Sequence, residues 1–515
     1  MGSPVARDRS LPQRGPAMSD DMVRTEVLII GAGMSGLGQA IELARSGVDF
    51  LVLEKAHDVG GTWRDNTYPG ASCDVESVLY SYSRERKPDW SAAFAGQAEI
   101  LGYLRTVARR RGLLPRIRFG VEVTEARWES STGEWIVSTA SGTTYIGRFL
   151  ILGVGGLHAP QVPDLPGADS FSGDVWHSSC WNHDADLTGK RVALVGVGAS
   201  GVQLVPHLAE RASELTVFQR TAAWVLPKAD TPVPAWRQRL FRWLPWTQAL
   251  HRLRIYLRRE KRGIGFHSRP DAMRVAEQVV LRQIEDQIDD AALRDVVTPK
   301  YRMGCKRVLF SNEYYRTLNA PHVHVVAGQP VALRSDAVVD DAGNEHKTDA
   351  VIYATGFDVT GSYDRIHIEG VDGRVLKDEW LSAPRSYNGV AVPGFPNMFV
   401  LLGPNGVVPY TAVVVNIEAQ ARYVVRAIRA TRSARARALA VRPEAERRFQ
   451  DELRGRSGRT VWLAGGCRSW YQNGSPSGTV LWPGSTLEYR WRLRRLRRRD
   501  FVFIPLQNRE FMRAR

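Results

Sequence analysis

Cysteine is scarce in this chain. It has four, Cys73, Cys180, Cys305 and Cys467, in 515 residues, and no C-x-x-C pair. That scarcity argues against a disulfide framework, a thioredoxin-type dithiol and a structural zinc, so no metal site is expected. A reducing, cytoplasmic setting is expected instead. Long apolar runs are also missing, and none approaches the roughly 20 residues that a membrane-spanning helix needs. The opening MGSPVARDRSLPQRGPAM holds charge, Pro and Gly but no apolar centre, so it does not read as a secretory signal. Residues 1–22 are expected to form a disordered tail. Acid is short relative to base: 70 Lys and Arg face 54 Asp and Glu, leaving a net charge of +16. The densest basic runs are RLRIYLRREKR (252–262) and RWRLRRLRRR (490–499). No nucleic-acid reading module accompanies them, so nucleic acid is not an expected partner.

What is present is glycine in a telling arrangement. In EVLIIGAGMSGLGQAIELARSGVDFLVLEK, four apolar residues from Val27 to Ile30 predict a buried parallel strand. G-x-G-x-x-G follows at Gly31, Gly33 and Gly36, then a helix with apolar Leu37, Ile41, Leu43 and Ala44, then the strand FLVLE ending at Glu54. The first glycine permits a tight turn, the second lets backbone approach a pyrophosphate, and the third lets helix pack on strand. The helix N-terminus offers free N–H groups to the phosphates. An acid at the position of Glu54 suits an unphosphorylated adenosine ribose, as in FAD or NAD.

A second cradle repeats the pattern. KRVALVGVGASGVQLVPHLAERASELTVFQR places Gly196, Gly198 and Gly201 after the strand Val192 to Val195. Where the first unit ends in Glu54, this one ends in Arg220, and a cation there attracts the 2′-phosphate of NADPH. A third segment, KTDAVIYATGFD, reads as a buried strand from Ala350 to Tyr353 followed by a Thr-Gly turn. Between the cradles lies FSGDVWHSSCW (171–181), whose apolar positions fit neither a helical nor a strand period.

This connector carries a resemblance. Phe171, Gly173, His177 and Trp181 match F-x-G-x-x-x-H-x-x-x-W of the Baeyer–Villiger monooxygenases, with Asn182 standing where that family commonly has Pro or Asp. GTWRDNTYPGASCD is similar to the family's G-x-W-x4-Y-P-G-x3-D through Gly61, Trp63, Tyr68, Pro69, Gly70 and Asp74. GCKRVLFSNEYYRTLN resembles the stretch that carries the family's catalytic arginine, and CRSWYQNG resembles one whose tryptophan contacts the nicotinamide cofactor.

The resemblance runs from about Val23 to the C-terminal aromatic segment. It implies an α/β fold with two Rossmann-like dinucleotide-binding domains and a helical insertion. Residues 23–160 and 361–515 would form a split FAD domain, and 161–228 with 302–360 an inserted NADPH domain. Residues 229–301, broken at Pro245, would be a helical subdomain shaping substrate access. The implied cofactors are FAD and NADPH, and the implied substrates a small-molecule ketone and O2, joined through a peroxide on the flavin to give an ester or lactone. The implied catalytic residues are Arg307, Asp74 and His177, with His177 at the interdomain hinge. Gly61, Trp63, Asp74 and Trp470 would touch cofactor, and Lys306 would help Arg220 hold the 2′-phosphate. Oxygenation of an amine or sulfide is the alternative within enzymes. A peripheral membrane flavoprotein, suggested by the basic, Trp-bearing segment 236–262, is the lesser reading outside them.

Overall fold

A computed structural model of the chain describes residues 22–359, 361–472 and 478–505; most of the expected tail, residues 1–21, lies outside them. The first glycine motif follows the strand Met22–Ile30, which pairs in parallel with Phe50–Glu54 on one side and Thr144–Leu152 on the other. Ile117–Phe119 and Met398–Val400 extend this parallel group, and Val123–Glu129 with Glu134–Thr139 add an antiparallel flap. Side chains alternate across the sheet as a strand buried on both faces requires. Val27 and Ile29 join a core with the helices Met34–Arg45 and Val413–Ser433, whereas Leu28 and Ile30 pack with Trp128, Trp135 and Val400. On the helix Met34–Arg45, Leu37, Ile41 and Leu43 are buried as the spacing predicts, but Ala44 faces solvent.

The second sheet has five parallel strands in the order Val323–Val326, Glu214–Phe218, Arg191–Val195, Ala350–Tyr353, Asp174–His177. Its last strand corrects the period-based reading of the connector: DVWH is an edge strand. Phe171 lies in the core beneath it, and a side chain at Gly173 would sit 2.2 Å from the carbonyl oxygen of Asp349. The aromatic-rich connector is therefore edge strand plus anchor. Trp181 stacks edge-on against Trp176 at 5.6 Å. The departure at Asn182 has a local explanation, because its Oδ1 accepts the Asp184 N–H at 3.1 Å, a turn that Asp would make equally well.

The chain passes between the sheets twice, at the same place. Pro160 pairs antiparallel with Phe357, the Asp358 N–H donates to the Ala159 carbonyl at 2.9 Å, and the Gln161 N–H donates to Gly356 at 2.9 Å. The helical excursion comprises Ala235–Trp243, Pro245–His267, Arg274–Gln287 and Ala291–Val297. Pro245 opens the second helix at its first turn, where its missing N–H costs nothing. The excursion has no core of its own. Phe241, Ile255 and Tyr256 pack with the first sheet's core, and Val280, Ile284 and Val297 with the second's. One expectation fails: Cys305 and Cys467, 162 residues apart, form a disulfide. Nothing in their spacing announces it, since tertiary folding alone brings them together. No helix among the described residues is long and apolar enough to cross a membrane.

Candidate functional site

The two glycine turns are built alike, and the likeness separates glycines needed for packing from one left for a ligand. Gly31 (φ 98°) and Gly196 (φ 101°) adopt left-handed backbone. A Cβ on Gly36 would lie 1.8 Å from the Gly31 oxygen, and one on Gly201 would lie 2.1 Å from the Gly196 oxygen. At Gly198 a Cβ would meet nothing within 4 Å, and at Gly33 only the Gly61 backbone at 3.6 Å and beyond. Protein packing does not demand glycine at these middle positions, and the space it leaves suits the close approach of another molecule. The helices Met34–Arg45 and Ala199–Ala209 start at these residues with no side-chain cap, so their first N–H groups are free to meet an anion. Two diphosphates fit these turns.

The first turn opens onto a cleft lined by Gly31, Gly33, Glu54, Gly61 and Trp63. Glu54 is buried, and its carboxylate accepts the N–H groups of Ala32 (2.7 Å) and Ala56 (3.0 Å) and Nη1 of Arg64 (3.1 Å). A carboxylate has about four lone-pair positions, so room remains for a ribose hydroxyl. Burial opposes the Arg64 charge, but its bonds to Asp65 and Glu54 win, and its pKa is raised. Trp63 Nε1 donates to the Tyr80 hydroxyl at 3.0 Å, which fixes the indole at the cleft wall. Neither Arg64 nor Tyr80 is singled out by the sequence, because Arg64 falls at a variable position of GTWRDNTYPGASCD and Tyr80 lies outside it.

The loop after this cleft reaches the second cradle. The Tyr68 hydroxyl donates to Gln203 Oε1 at 2.9 Å, and Gln203 Nε2 donates to the Ser72 carbonyl at 3.0 Å. Gln203 lies on the helix that begins at the second glycine turn. Two residues past Ser72, Asp74 meets Arg307 in a two-pronged ion pair: Nη2 to Oδ1 at 2.6 Å and Nε to Oδ2 at 2.9 Å. These residues are 233 positions apart, and the fold brings the two segments that carry them together. Arg307 remains 40% accessible, so one side of the guanidinium is open. The Asp74 charge outweighs desolvation and raises the arginine pKa, so it stays cationic.

Lys306 lies beside Arg220, and its pKa is lowered by burial and then by that second cation. Among the described residues neither makes an ion pair. Two neighbouring cations without an acid between them suit a dianion. Trp470 is 46% exposed and contacts Tyr471, which is buried near Arg307. The Cys305–Cys467 disulfide and the Ser469 hydroxyl, donating to the Cys305 carbonyl at 3.3 Å, hold that segment to the arginine loop.

His177 stands apart. It ends the edge strand, its Nδ1 accepts the Ser179 N–H at 3.1 Å, and its ring lies edge-on to Phe357 at 5.6 Å, beside the crossing. It makes no hydrogen bond to Asp74 or Arg307. Burial lowers its pKa.

A further arginine escaped the sequence reading. Arg259, on the helix Pro245–His267, binds Glu76 at 2.6 Å and donates to the Asp74 carbonyl at 3.1 Å. It grips the loop that presents the Asp74 carboxylate. A lone arginine within a basic helical run gives no signal of this.

Comparison with known proteins agrees with the geometry. The model of flavin-binding monooxygenase-like proteins matches residues 24–436. A Baeyer–Villiger monooxygenase of Streptomyces coelicolor is 41% identical over 472 residues, covering 91% of each chain. The crystal structure of cyclohexanone monooxygenase from Rhodococcus sp. Phi1 bound to NADP+ superposes with a TM-score of 0.84 at 29% identity, covering 94% of this chain and all of that one. A structure of OTEMO in complex with FAD and NADP gives 0.84 at 30% identity, covering 93% and 99%. With two dinucleotide folds and these relatives, the chain belongs to the flavin-binding monooxygenase-like family and, within it, to the Baeyer–Villiger monooxygenases.

Proposed function

We propose that the protein is an FAD- and NADPH-dependent monooxygenase that inserts one oxygen atom from O2 beside a ketone carbonyl, giving an ester or lactone. The observation that carries this reading is the Asp74–Arg307 pair, one partner from each glycine-cradle unit. FAD, when bound, would supply the redox chemistry, acceptance of a hydride and activation of O2. The chain's residues do the rest. The Gly31–Gly36 turn and the uncapped helix behind it would hold the FAD diphosphate, Glu54 would bind its ribose, and Trp63 lines the cleft. The Gly196–Gly201 turn holds the NADPH diphosphate. Arg220 and Lys306 take the 2′-phosphate, which NADH lacks, so NADPH is used in preference. Arg307 holds negative charge as it develops on oxygen and gives up no proton in doing so. Asp74 aims the guanidinium fork and tempers its net charge. Trp470 contributes an exposed aromatic face against the nicotinamide cofactor. His177, neutral and buried, serves the hinge.

Residues 23–160 and 361–515 serve FAD, 161–228 and 302–360 serve NADPH, and 229–301 borders the substrate. Dependence on NADPH, which is made inside cells, supports a cytoplasmic setting.

Arg307→Ala tests the assignment. Both glycine turns are untouched, so FAD and NADPH should still bind, and NADPH should still be consumed. Ester formation should fall about a hundred- to thousandfold, as when other preorganised electrostatic groups are removed, with hydrogen peroxide released in its place. Asp74→Ala should shift the same way more mildly. An Arg307→Ala enzyme that converts a panel of ketones at the wild-type rate would remove this residue from the chemistry.

A further inference from the structure

Two helices of the excursion, Ala235–Trp243 and Pro245–His267, show solvent an apolar surface that neither core uses. On the longer helix Trp246, Leu250, Leu253, Leu257 and Ile264 are 62%, 39%, 48%, 53% and 41% exposed. Steps of four, three, four and seven residues place all five on one stripe. The same helix buries another side, through Ile255, Tyr256 and Gly263. Trp243, 80% exposed, and Trp236, 61% exposed, extend the surface along the shorter helix. Across an adjoining groove Leu487 and Trp491 extend it again, at 59% and 67%.

The surroundings are basic. Residues 235–267 hold nine Lys and Arg and a single acid, Glu260. Arg254 and Lys261 are exposed beside the stripe, and Arg262 is exposed further round the helix. The groove is lined by Arg422, Arg426, Arg490 and Arg494, and a neighbouring hollow by Arg495, Arg497, Arg498 and Arg499.

Scattered exposed apolar residues need no explanation, but a continuous stripe with tryptophans along it does. The geometry points to a docking surface for an anionic lipid bilayer, with the two helices lying in the interface plane. Tryptophan favours the boundary between headgroups and acyl chains, where its apolar rings and N–H group are both satisfied. Arginine and lysine beside the stripe meet lipid phosphates, an attraction that salt screens. A second copy of the chain would set these charges against their like. Nucleic acid would satisfy the arginines but leave the leucine stripe in water. The inference is independent of the ketone reading, since it uses none of the residues assigned to catalysis or cofactor.

Cosedimentation of the FAD-loaded enzyme with phosphatidylglycerol or phosphatidylcholine vesicles tests it. At low salt the enzyme should partition onto phosphatidylglycerol at least about tenfold more strongly than onto phosphatidylcholine, and high salt should narrow that preference. Trp243→Glu combined with Trp246→Glu alters two highly exposed positions, so the fold and the rate of NADPH oxidation in solution should be unchanged. Partition onto phosphatidylglycerol should nevertheless fall by about tenfold or more. Arg254→Glu with Lys261→Glu should also release the enzyme. The proposal is overturned if wild type stays in the supernatant, if the tryptophan variant binds as wild type does, or if it binds both lipids equally. A tryptophan-dependent dimer in lipid-free solution, or binding to single-stranded RNA that outcompetes the vesicles, would overturn it equally.

Discussion

Gly198 and Gly201 lie three positions apart and answer to different forces. A methyl group at Gly201 would enter the Gly196 carbonyl, at 2.1 Å, whereas one at Gly198 enters open space. Gly201→Ala should therefore weaken the second unit's fold, by about 1–3 kcal/mol if neighbouring backbone shifts to accept it. Gly198→Ala should melt with wild type yet raise the KM for NADPH, because the new methyl occupies the approach of the diphosphate. Thermal melting without nucleotide, followed by NADPH titration, separates the two; a Gly198→Ala protein that melts early would refute the division. Such positions are legible in a sequence because their neighbours are local. Asp74 and Arg307 are another matter. They stand 233 residues apart, and only likeness to known motifs pairs them. Ala44 shows the opposite failure, where a correct helical period still misjudges one edge of the buried face.

At the scale of elements, the helix Pro245–His267 links the excursion to the reactive loop. Arg259 is 13% exposed and Glu76 12%, so their bond is nearly sheltered from water, while Arg258 binds the same carboxylate from a more exposed position. Arg259→Leu removes the inner partner and the bond to the Asp74 carbonyl. It should lower stability by about 1–3 kcal/mol. It should also reduce kcat more than it raises the KM for NADPH, since Asp74 loses its support and Arg307 its aim. A variant with wild-type kcat and lowered melting temperature would make Arg259 purely structural. Rescue by Arg259→Lys should be partial, as lysine restores the charge without the fork. None of this is visible in a run of basic residues, where the period of the helix shows burial but not partners. The edge strand Asp174–His177 was missed for a related reason: four residues against one neighbour are too few for a period to register.

For the molecule as a whole, buried histidines govern the first loss of stability on acidification, before the paired carboxylates such as Asp340 and Asp349 begin to protonate. Burial is the leading cause that lowers the pKa of His158, His177, His251 and His267. In the unfolded chain each would protonate near its ordinary pKa of about 6.5. Below that pH the unfolded state binds more protons at these groups than the folded one, so stability should fall as pH drops through about 6.5. It should fall again at lower pH as carboxylates held low by their partners, Asp340 by His346 and Asp349 by Arg191, take up protons. Melting temperature measured from pH 8 downward checks the sign, and a curve that rises on acidification through this window would contradict it. The two-sheet plan was legible because each glycine turn, strand and helix is contiguous. The disulfide was not, and neither was the way the excursion shares itself between two cores.

The side-by-side crossings at Pro160 and Phe357 also order events during synthesis. All five strands of the second sheet lie between Asp174 and Tyr353, so that sheet can close before the rest of the chain has left the ribosome. The first sheet cannot. Its strand Thr144–Leu152 waits for Met398–Val400, and its core waits for the helix Val413–Ser433. The earliest glycine turn to be made is thus the last to be completed, and the nascent first half must keep Leu150, Ile151 and Leu152 from other partners while the inner unit folds.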